Sequence, residues 1–264
     1  MRWEPEAEAL LKRVPFFVRR KVRKKVEEFV RAQGKEVVTK EEMLAAREAL
    51  RQKTSSVSEG YVLEGCFGAT GCPNAVTDSS QLWERLEEIL RSEDLTGFLQ
   101  KKIGAPLKHH HQFRVALAEC PNACSQVQIK DFALIGRMEI VLSPEECSFC
   151  GECEENCEEG AIRLTETGPI LEEAKCLRCG ACVRVCPTTA IQAGRTGYQV
   201  LLGGKLGRHP RLATELVPFL AAEKVPQLLK RTISFYKRYN QKGERLGNII
   251  ERLGWKKTKD EILG

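Results

Sequence analysis

The chain has 264 residues, 42% apolar and 30% charged, with a formal net charge of +6 and a mean hydropathy of −0.32, which allows one or two domains with at least one core. No run of about 18 consecutive apolar residues occurs, which excludes an ordinary transmembrane helix; the acidic first ten residues lack the apolar stretch of a signal peptide, so a cytoplasmic location is expected. Twelve cysteines in a chain without an export signal point to metal ligation rather than to a disulfide framework.

The charge is unevenly spread. Residues 1–53 carry 15 Lys/Arg against 9 Asp/Glu, residues 205–264 carry 14 against 6, and the middle carries 13 against 21. The basic ends look helical and lack the interleaved aromatics on which bases stack, so nucleic acid is not the expected partner. An anionic ligand or an acidic partner segment accounts for the charge as well, and most of the N-terminal cations fit a solvated helix face.

In chain order, residues 5–53 read as a small helical module. Phe16, Phe17, Val18, Val22, Val26, Phe29 and Val30 form an apolar stripe from Pro15 to Gln33, with Gly34 as the terminating residue. Thr39 and Glu42 make a capping box that opens a second helix running through Leu50. Thr54–Glu59 is polar and reads as a linker. Tyr61–Leu63, Phe113–Ala118, Phe132–Leu142 and Tyr198–Leu202 are strand candidates, and Gln81–Leu90 is an amphipathic helix. His109, His110 and His111 are consecutive, cannot converge on one metal in a regular element, and read as an exposed loop. After a Gly-rich turn, helices are expected to the C-terminus. The divisions are 1–53 for the helical module, 60–143 and 193–264 for the two parts of a second domain, and 144–192 for a cysteine-dense insertion within it.

The insertion carries the pattern C-x2-C-x2-C-x3-C twice, as Cys147, Cys150, Cys153, Cys157 and as Cys176, Cys179, Cys182, Cys186. The repeat length is about 29 residues. In two-cluster ferredoxins three close cysteines cap one cluster and the fourth reaches across to the other. By that rule Cys147, Cys150, Cys153 and Cys186 hold one [4Fe–4S] cluster, and Cys176, Cys179, Cys182 and Cys157 hold the second. Two zinc sites are the alternative, but zinc usually takes two separated C-x2-C knuckles. The insertion resembles a bacterial two-cluster ferredoxin. Its acidic run Glu152, Glu154, Glu155, Glu158, Glu159 would lower the cluster potential, or form a face that docks a basic partner. Cys66-x5-Cys72 and Cys120-x3-Cys124 remain; two such pairs could hold a third cluster, a zinc ion, or stay as buried thiols.

Cys-x5-Cys followed by Cys-Pro-Asn-Ala-Cys is similar to the ligand pattern of sulfite and nitrite reductases that couple siroheme to a [4Fe–4S] cluster. The likeness continues through Asp131, Phe132 and Gly136, through Gly203-Gly204-Lys205-Leu206-Gly207-Arg208-His209-Pro210, and through Tyr236, Glu244, Arg245 and Leu246. It covers about residues 60–264, and an inserted ferredoxin after Leu142 matches the dissimilatory and anaerobic types. The resemblance implies that Cys66, Cys72, Cys120 and Cys124 hold a cluster and that Cys124 bridges it to siroheme iron. It implies that Gly203, Gly204, Lys205, Arg208 and His209, with Arg114, face the siroheme carboxylates. It also implies that Arg114, Lys205 and Arg208 hold the substrate anion and relay protons. Because Gly and Lys/Arg also make ordinary charged turns, that reading of Lys205 and Arg208 stays open. The half-domain found ahead of the first cysteine pair in such reductases has no counterpart between the helical module and Cys66, which implies a second subunit, the same chain or another, that completes the pocket.

Trp3-x-Pro-Glu-Ala-Glu-Ala-Leu-Leu-x-x-Val-Pro-Phe-Phe-Val-Arg resembles the C-terminal helical domain of the B subunit of light-independent protochlorophyllide reductase, over about residues 3–50. The expected fold class is therefore α+β: a helical module, a siroheme/[4Fe–4S] domain and an inserted two-cluster ferredoxin. The implied reaction is six-electron reduction of sulfite to sulfide, fed by an electron-donor protein, with nitrite as an alternative substrate. A non-catalytic subunit holding three [4Fe–4S] clusters, and a tetrapyrrole-handling protein, are the rivals.

Overall fold

A computed structural model describes residues 1–55 and 57–264. The chain divides into two compact units, Met1–Val57 and Ser58–Gly264. Among the described residues no helix is long and apolar enough to cross a membrane.

In the first unit a two-residue strand β1 (Arg2–Trp3) pairs in parallel with β2 (Val37–Val38), and three helices pack around them: α1 (Pro5–Lys12), α2 (Phe16–Ala32) and α3 (Lys40–Ser55). Val26 and Val30 of α2 meet Ala7, Leu11, Val38, Met43 and Ala46 in one core. The spacing of these α2 residues places them on one face, as the stripe requires. Phe16 departs from it: at the first turn it is 83% exposed. The Trp3 indole donates to Glu27 at 2.8 Å and lies under Arg23, tying the N-terminal strand to α2. Gly34 follows α2 with φ +73°, the left-handed conformation of a helix terminator. Helix α3 continues past Leu50 to Ser55, so the first residues of the expected linker are helical; Ser56, also in that linker, lies outside the described residues. At its start the Glu42 amide donates to Thr39 Oγ1 at 3.3 Å, and Thr39 donates back to the Glu42 carboxylate. Thr39→Ala is expected to weaken α3 by about 1 kcal/mol, read as faster hydrogen exchange of its first-turn amides.

The second unit is built on a five-stranded mixed sheet in the order β3-β4-β5-β8-β9. Strand β3 (Tyr61–Gly65) leads through α4 (Ser80–Ser92) and α5 (Leu95–Ile103) into β4 (Phe113–Ala118), which lies parallel to it. Next comes β5 (Phe132–Leu142), parallel to β4. The insertion follows, with α6 (Glu152–Glu155), the hairpin β6 (Ile162–Thr165) and β7 (Gly168–Leu171), and α7 (Ala181–Val185). The chain returns in β8 (Ile191–Leu202), antiparallel to β5, and β9 (Thr214–Leu220). Helices α8 (Val225–Tyr239), α9 (Leu246–Leu253) and α10 (Trp255–Leu263) complete it.

The alternation along β4 sets its two faces. Phe113 meets Tyr236 of α8 at a ring separation of 5.0 Å, so Val115 and Leu117 share the helix-covered face. Ala116 and Ala118 point the other way and pack with Ala123, Val127, Ala133, Ile135 and Leu201. Their small side chains let the loop after Cys120 lie close to the sheet.

Among the elements that went unread in the sequence are α5 and β9. Helix α5 starts at Asp94, whose carboxylate accepts from the Gly97 amide at 3.0 Å, and ends at Gly104 with φ +65°. Strand β9 holds Pro218, which cannot donate to a ladder and is tolerated because β9 is the sheet edge. Strand β8 also begins earlier than Tyr198: Ile191 and Gln192 already pair with Leu142 and Val141. The long β5–β8 ribbon thus runs from the main sheet out to the insertion.

Gly136 of β5 lies beside Glu119, just past the end of the neighbouring strand β4. A Cβ there would stand 2.4 Å from the Glu119 carbonyl oxygen and 2.6 Å from Thr77 Oγ1. Gly136→Ala is expected to cost about 1–3 kcal/mol, seen as a lower denaturation midpoint, because backbone rather than a flexible side chain must yield.

Candidate iron–sulfur and anion site

Four thiols ring each of three cavities. Cys66, Cys72, Cys120 and Cys124 surround one of about 320 Å³, counted with its open mouth. Cys147, Cys150, Cys153 and Cys186 line a second of about 280 Å³. Cys157, Cys176, Cys179 and Cys182 line a third of about 330 Å³. Each group includes one buried cysteine: Cys120, Cys153 and Cys182 respectively. Among the described residues no three Cys, His, Asp or Glu side chains converge on a single-ion position; the thiols stand around a space instead.

The sequence repeat reappears in the backbone. Phe149 and Arg178 hold the same place in the two halves, and both adopt the left-handed region, at φ +57° and +55°. The Phe149 amide donates to Cys147 Sγ and the Arg178 amide to Cys176 Sγ, each at 3.3 Å. Gly151 and Gly180, at φ +83° and +69°, make the next turn. The Ala161 amide reaches Cys157 Sγ at 3.3 Å. Such N–H···S contacts fix where these sulfurs point.

Burial works against ionisation of the deeper thiols. It raises Cys120, Cys153 and Cys176, and pushes Cys182 up to about 11. At Cys186 burial also raises the thiol, but hydrogen bonds from Thr188, Ile191 and Ala190 together outweigh it, and the net shift is downward.

Around the first cavity, Cys124 is exposed and Cys120 buried. The Asn122 side-chain amide donates to Cys124 Sγ at 3.1 Å, and the Glu119 amide to Cys66 Sγ at 3.3 Å. Glu119, 2% exposed, was not singled out in the sequence. Its carboxylate accepts from Thr77 Oγ1 at 2.5 Å, from the Ser79 amide at 3.2 Å and from the Ser79 hydroxyl, while its carbonyl accepts from the Val76 amide at 2.9 Å. The residue therefore fixes the segment after Cys72 against the end of β4. Only its place before Cys120 could have marked it.

The turn after β8 runs along the loop that follows Cys124: Gly204 donates to the Lys130 carbonyl at 2.7 Å and Ala213 to that of Gln128 at 2.7 Å. The residues of this turn expected to face an anion do not all point outward. Lys205 is 7% exposed, and its ammonium is held by Asn248 and by Glu251 at 3.0 Å. The close approach expected of Gly203 and Gly204 is to the protein itself. A Cβ on Gly203 would meet Ile250 at 2.4 Å, and one on Gly204 the Gln128 carbonyl at 2.4 Å. Arg208 and His209 are exposed. Arg114 is half-buried: one terminal nitrogen donates to the His109 carbonyl at 3.3 Å, while Nε is buried with no partner within the chain. His109 and His110 are exposed and His111 half-buried, in a short 3-10 turn.

Beneath this turn lies Asp131, fully buried. Its carboxylate accepts from Arg245 at 2.7 Å, from the Arg114 amide at 2.8 Å and from the Leu246 amide at 3.1 Å. Its carbonyl accepts from the Gly203 amide at 2.8 Å. One residue thus joins β4, the Gly203 turn and the start of α9.

Residues 61–264 match the family described as nitrite and sulphite reductase 4Fe-4S domain, and residues 3–47 match that described as proto-chlorophyllide reductase 57 kD subunit. A coenzyme F420-dependent sulfite reductase of Methanocaldococcus jannaschii is 30% identical over 210 residues, 78% of this chain and 32% of the relative. The B subunit of a light-independent protochlorophyllide reductase from Chlorobium phaeobacteroides is 52% identical over 50 residues, 19% of this chain and 9% of the relative. The chain thus spans about a third or less of the length of these curated relatives. The crystal structure of dissimilatory sulfite reductase I shares the fold, with a TM-score of 0.54 at 18% identity, over 85% of this chain and 58% of that one.

Proposed function

Because the chain belongs to the nitrite and sulphite reductase 4Fe-4S domain family, we propose that its second unit is the electron-carrying and siroheme-holding part of a sulfite reductase, with nitrite as the alternative substrate. The observation that carries this reading is the set of three cavities, each ringed by four thiols. Thiols standing around a space suit a cluster better than one zinc ion, on which four would converge. Three [4Fe–4S] clusters are assigned to the three quartets, and residues 144–192 to an inserted ferredoxin.

When bound, the clusters would store and pass single electrons, and siroheme would supply the iron at which the oxyanion is reduced. The chain's own residues have separable parts. Asn122 orients and stabilises the exposed Cys124 sulfur, which is the thiolate suited to join a cluster to siroheme. Arg208 and His209 are free to meet carboxylates, and Arg114 has an unused buried donor, Nε, for an anion. Lys205, tied to α9 through Asn248 and Glu251, positions the turn that presents Arg208 and His209. The acidic insertion is the side suited to a basic electron-donor protein, and a further subunit, the same chain or another, would close the pocket.

A second reading, an electron-transfer subunit without siroheme, draws on one observation: the Gly203–Gly204–Lys205 segment is engaged with its own protein rather than with open space. Extraction of the chromophore from protein made anaerobically in a siroheme-producing host separates the two. Siroheme in the extract, reduced in amount by Arg208→Glu, is expected. Clusters without any siroheme would favour the second reading.

A further inference from the structure

The β5–β8 ribbon passes the three cavities in succession. Gly136 lies against the Glu119 carbonyl, beside Cys120. Two residues on, the Met138 amide donates to the Arg178 carbonyl at 3.0 Å, and its sulfur would be 3.0 Å from a Cβ on Gly180. Ile140 lines the cavity of Cys157, Cys176, Cys179 and Cys182. At the far end Leu142 pairs with Ile191, which lines the cavity of Cys147, Cys150, Cys153 and Cys186. With a rise of about 3.3 Å per strand residue, each step along the ribbon moves from one cavity towards the next.

The Cys157/Cys176/Cys179/Cys182 cavity is also linked to the Cys66/Cys72/Cys120/Cys124 cavity by one close contact. Gly180 follows Cys179, and a Cβ on it would stand 3.4 Å from Val76 Cγ1. Val76 follows Asn74 and Ala75, which line the Cys66/Cys72/Cys120/Cys124 cavity, and its amide is bound to the Glu119 carbonyl. Gly180 has φ +69° and Met138 on its other side, so a larger residue would be both strained and crowded.

We propose that Gly180 and Val76 are positioning residues that set the spacing between these two sites. The Cys157/Cys176/Cys179/Cys182 site is the immediate neighbour of the Cys66/Cys72/Cys120/Cys124 site, and the Cys147/Cys150/Cys153/Cys186 site is the outer end of a line of three. This rests on the reading of the quartets as cluster sites. Electron exchange between buried centres falls steeply with separation, so with clusters bound the inner and middle sites would be the pair placed to exchange one electron, one losing what the other gains.

The test uses the full chain, loaded with iron and sulfide anaerobically and reduced with dithionite. Iron is counted, and the electron paramagnetic resonance signal of the inner site is identified as the one lost in Cys66→Ala. Its microwave power saturation reports a neighbouring spin. Removing the middle site with Cys176→Ala/Cys179→Ala should make the inner signal saturate more readily. Removing the outer site with Cys147→Ala/Cys150→Ala should leave its saturation unchanged. The reverse pattern would overturn the order. Val76→Phe, which leaves every cysteine in place, should retain all the iron yet shift the inner signal towards easier saturation; unchanged saturation would overturn the positioning role. A wild-type chain that binds no cluster would overturn the underlying reading itself, and the iron count identifies that case separately.

Discussion

Asp131→Ala should destabilise the Ser58–Gly264 unit by about 3–5 kcal/mol, the usual cost of removing one partner from a buried ion pair. The side chain is fully buried and meets Arg245, whose own side chain is 14% exposed. Alanine would leave the guanidinium without its counter-charge and orphan the Arg114 and Leu246 amides. Asp131→Asn restores size but not charge, so it should recover only part of the loss. The double change Asp131→Ala/Arg245→Met should be less damaging than Asp131→Ala alone, because it removes the unpaired cation. Urea denaturation of the four proteins checks this. Equal midpoints for wild type and Asp131→Ala would show that the pair contributes nothing to holding the Gly203 turn.

Cysteine replacement should give a pattern that only crossed ligation produces. Cys157 belongs by sequence to the first half of the repeat but lines the cavity of Cys176, Cys179 and Cys182; Cys186 does the converse. Cys157→Ala/Cys179→Ala should therefore lose about four iron atoms per chain, as should Cys186→Ala/Cys150→Ala. Cys157→Ala/Cys150→Ala should lose about eight, because the two changes fall in different cavities. Uncrossed ligation would reverse the assignment, with Cys157→Ala/Cys150→Ala losing about four. Iron counts on the three doubly substituted proteins decide between them.

The contrast between what was and was not legible is physical. The eight insertion cysteines were legible because their spacing repeats within a few residues and the 29-residue repeat marks both halves, whereas the distant pairs Cys66/Cys72 and Cys120/Cys124 were joined into one set through the resemblance. The structure brings together the same four thiols in each group. Core strands such as Phe113–Ala118 and the stripe of α2 were legible because burial imposes a period. Local patterns did not reveal partners distant in sequence. Nothing in the sequence around Lys205 shows that Asn248 and Glu251, more than 40 residues on, meet its ammonium. Gly203 and Gly204 suggest close approach, but not that the approaching surface is the chain's own loop. Glu119 is invisible for the same reason, since Thr77 and Ser79 lie 40 and more residues away. Strand β9 was obscured by Pro218, and only its edge position in the sheet makes that proline acceptable.

The most direct measurement counts iron and acid-labile sulfide, with zinc on the same sample, in the wild-type chain purified without oxygen. The account predicts about twelve non-haem iron atoms and a matching amount of sulfide per chain, with little zinc, because each of the three quartets holds a four-iron cluster. Zinc near stoichiometric with the quartets, without labile sulfide, would contradict it.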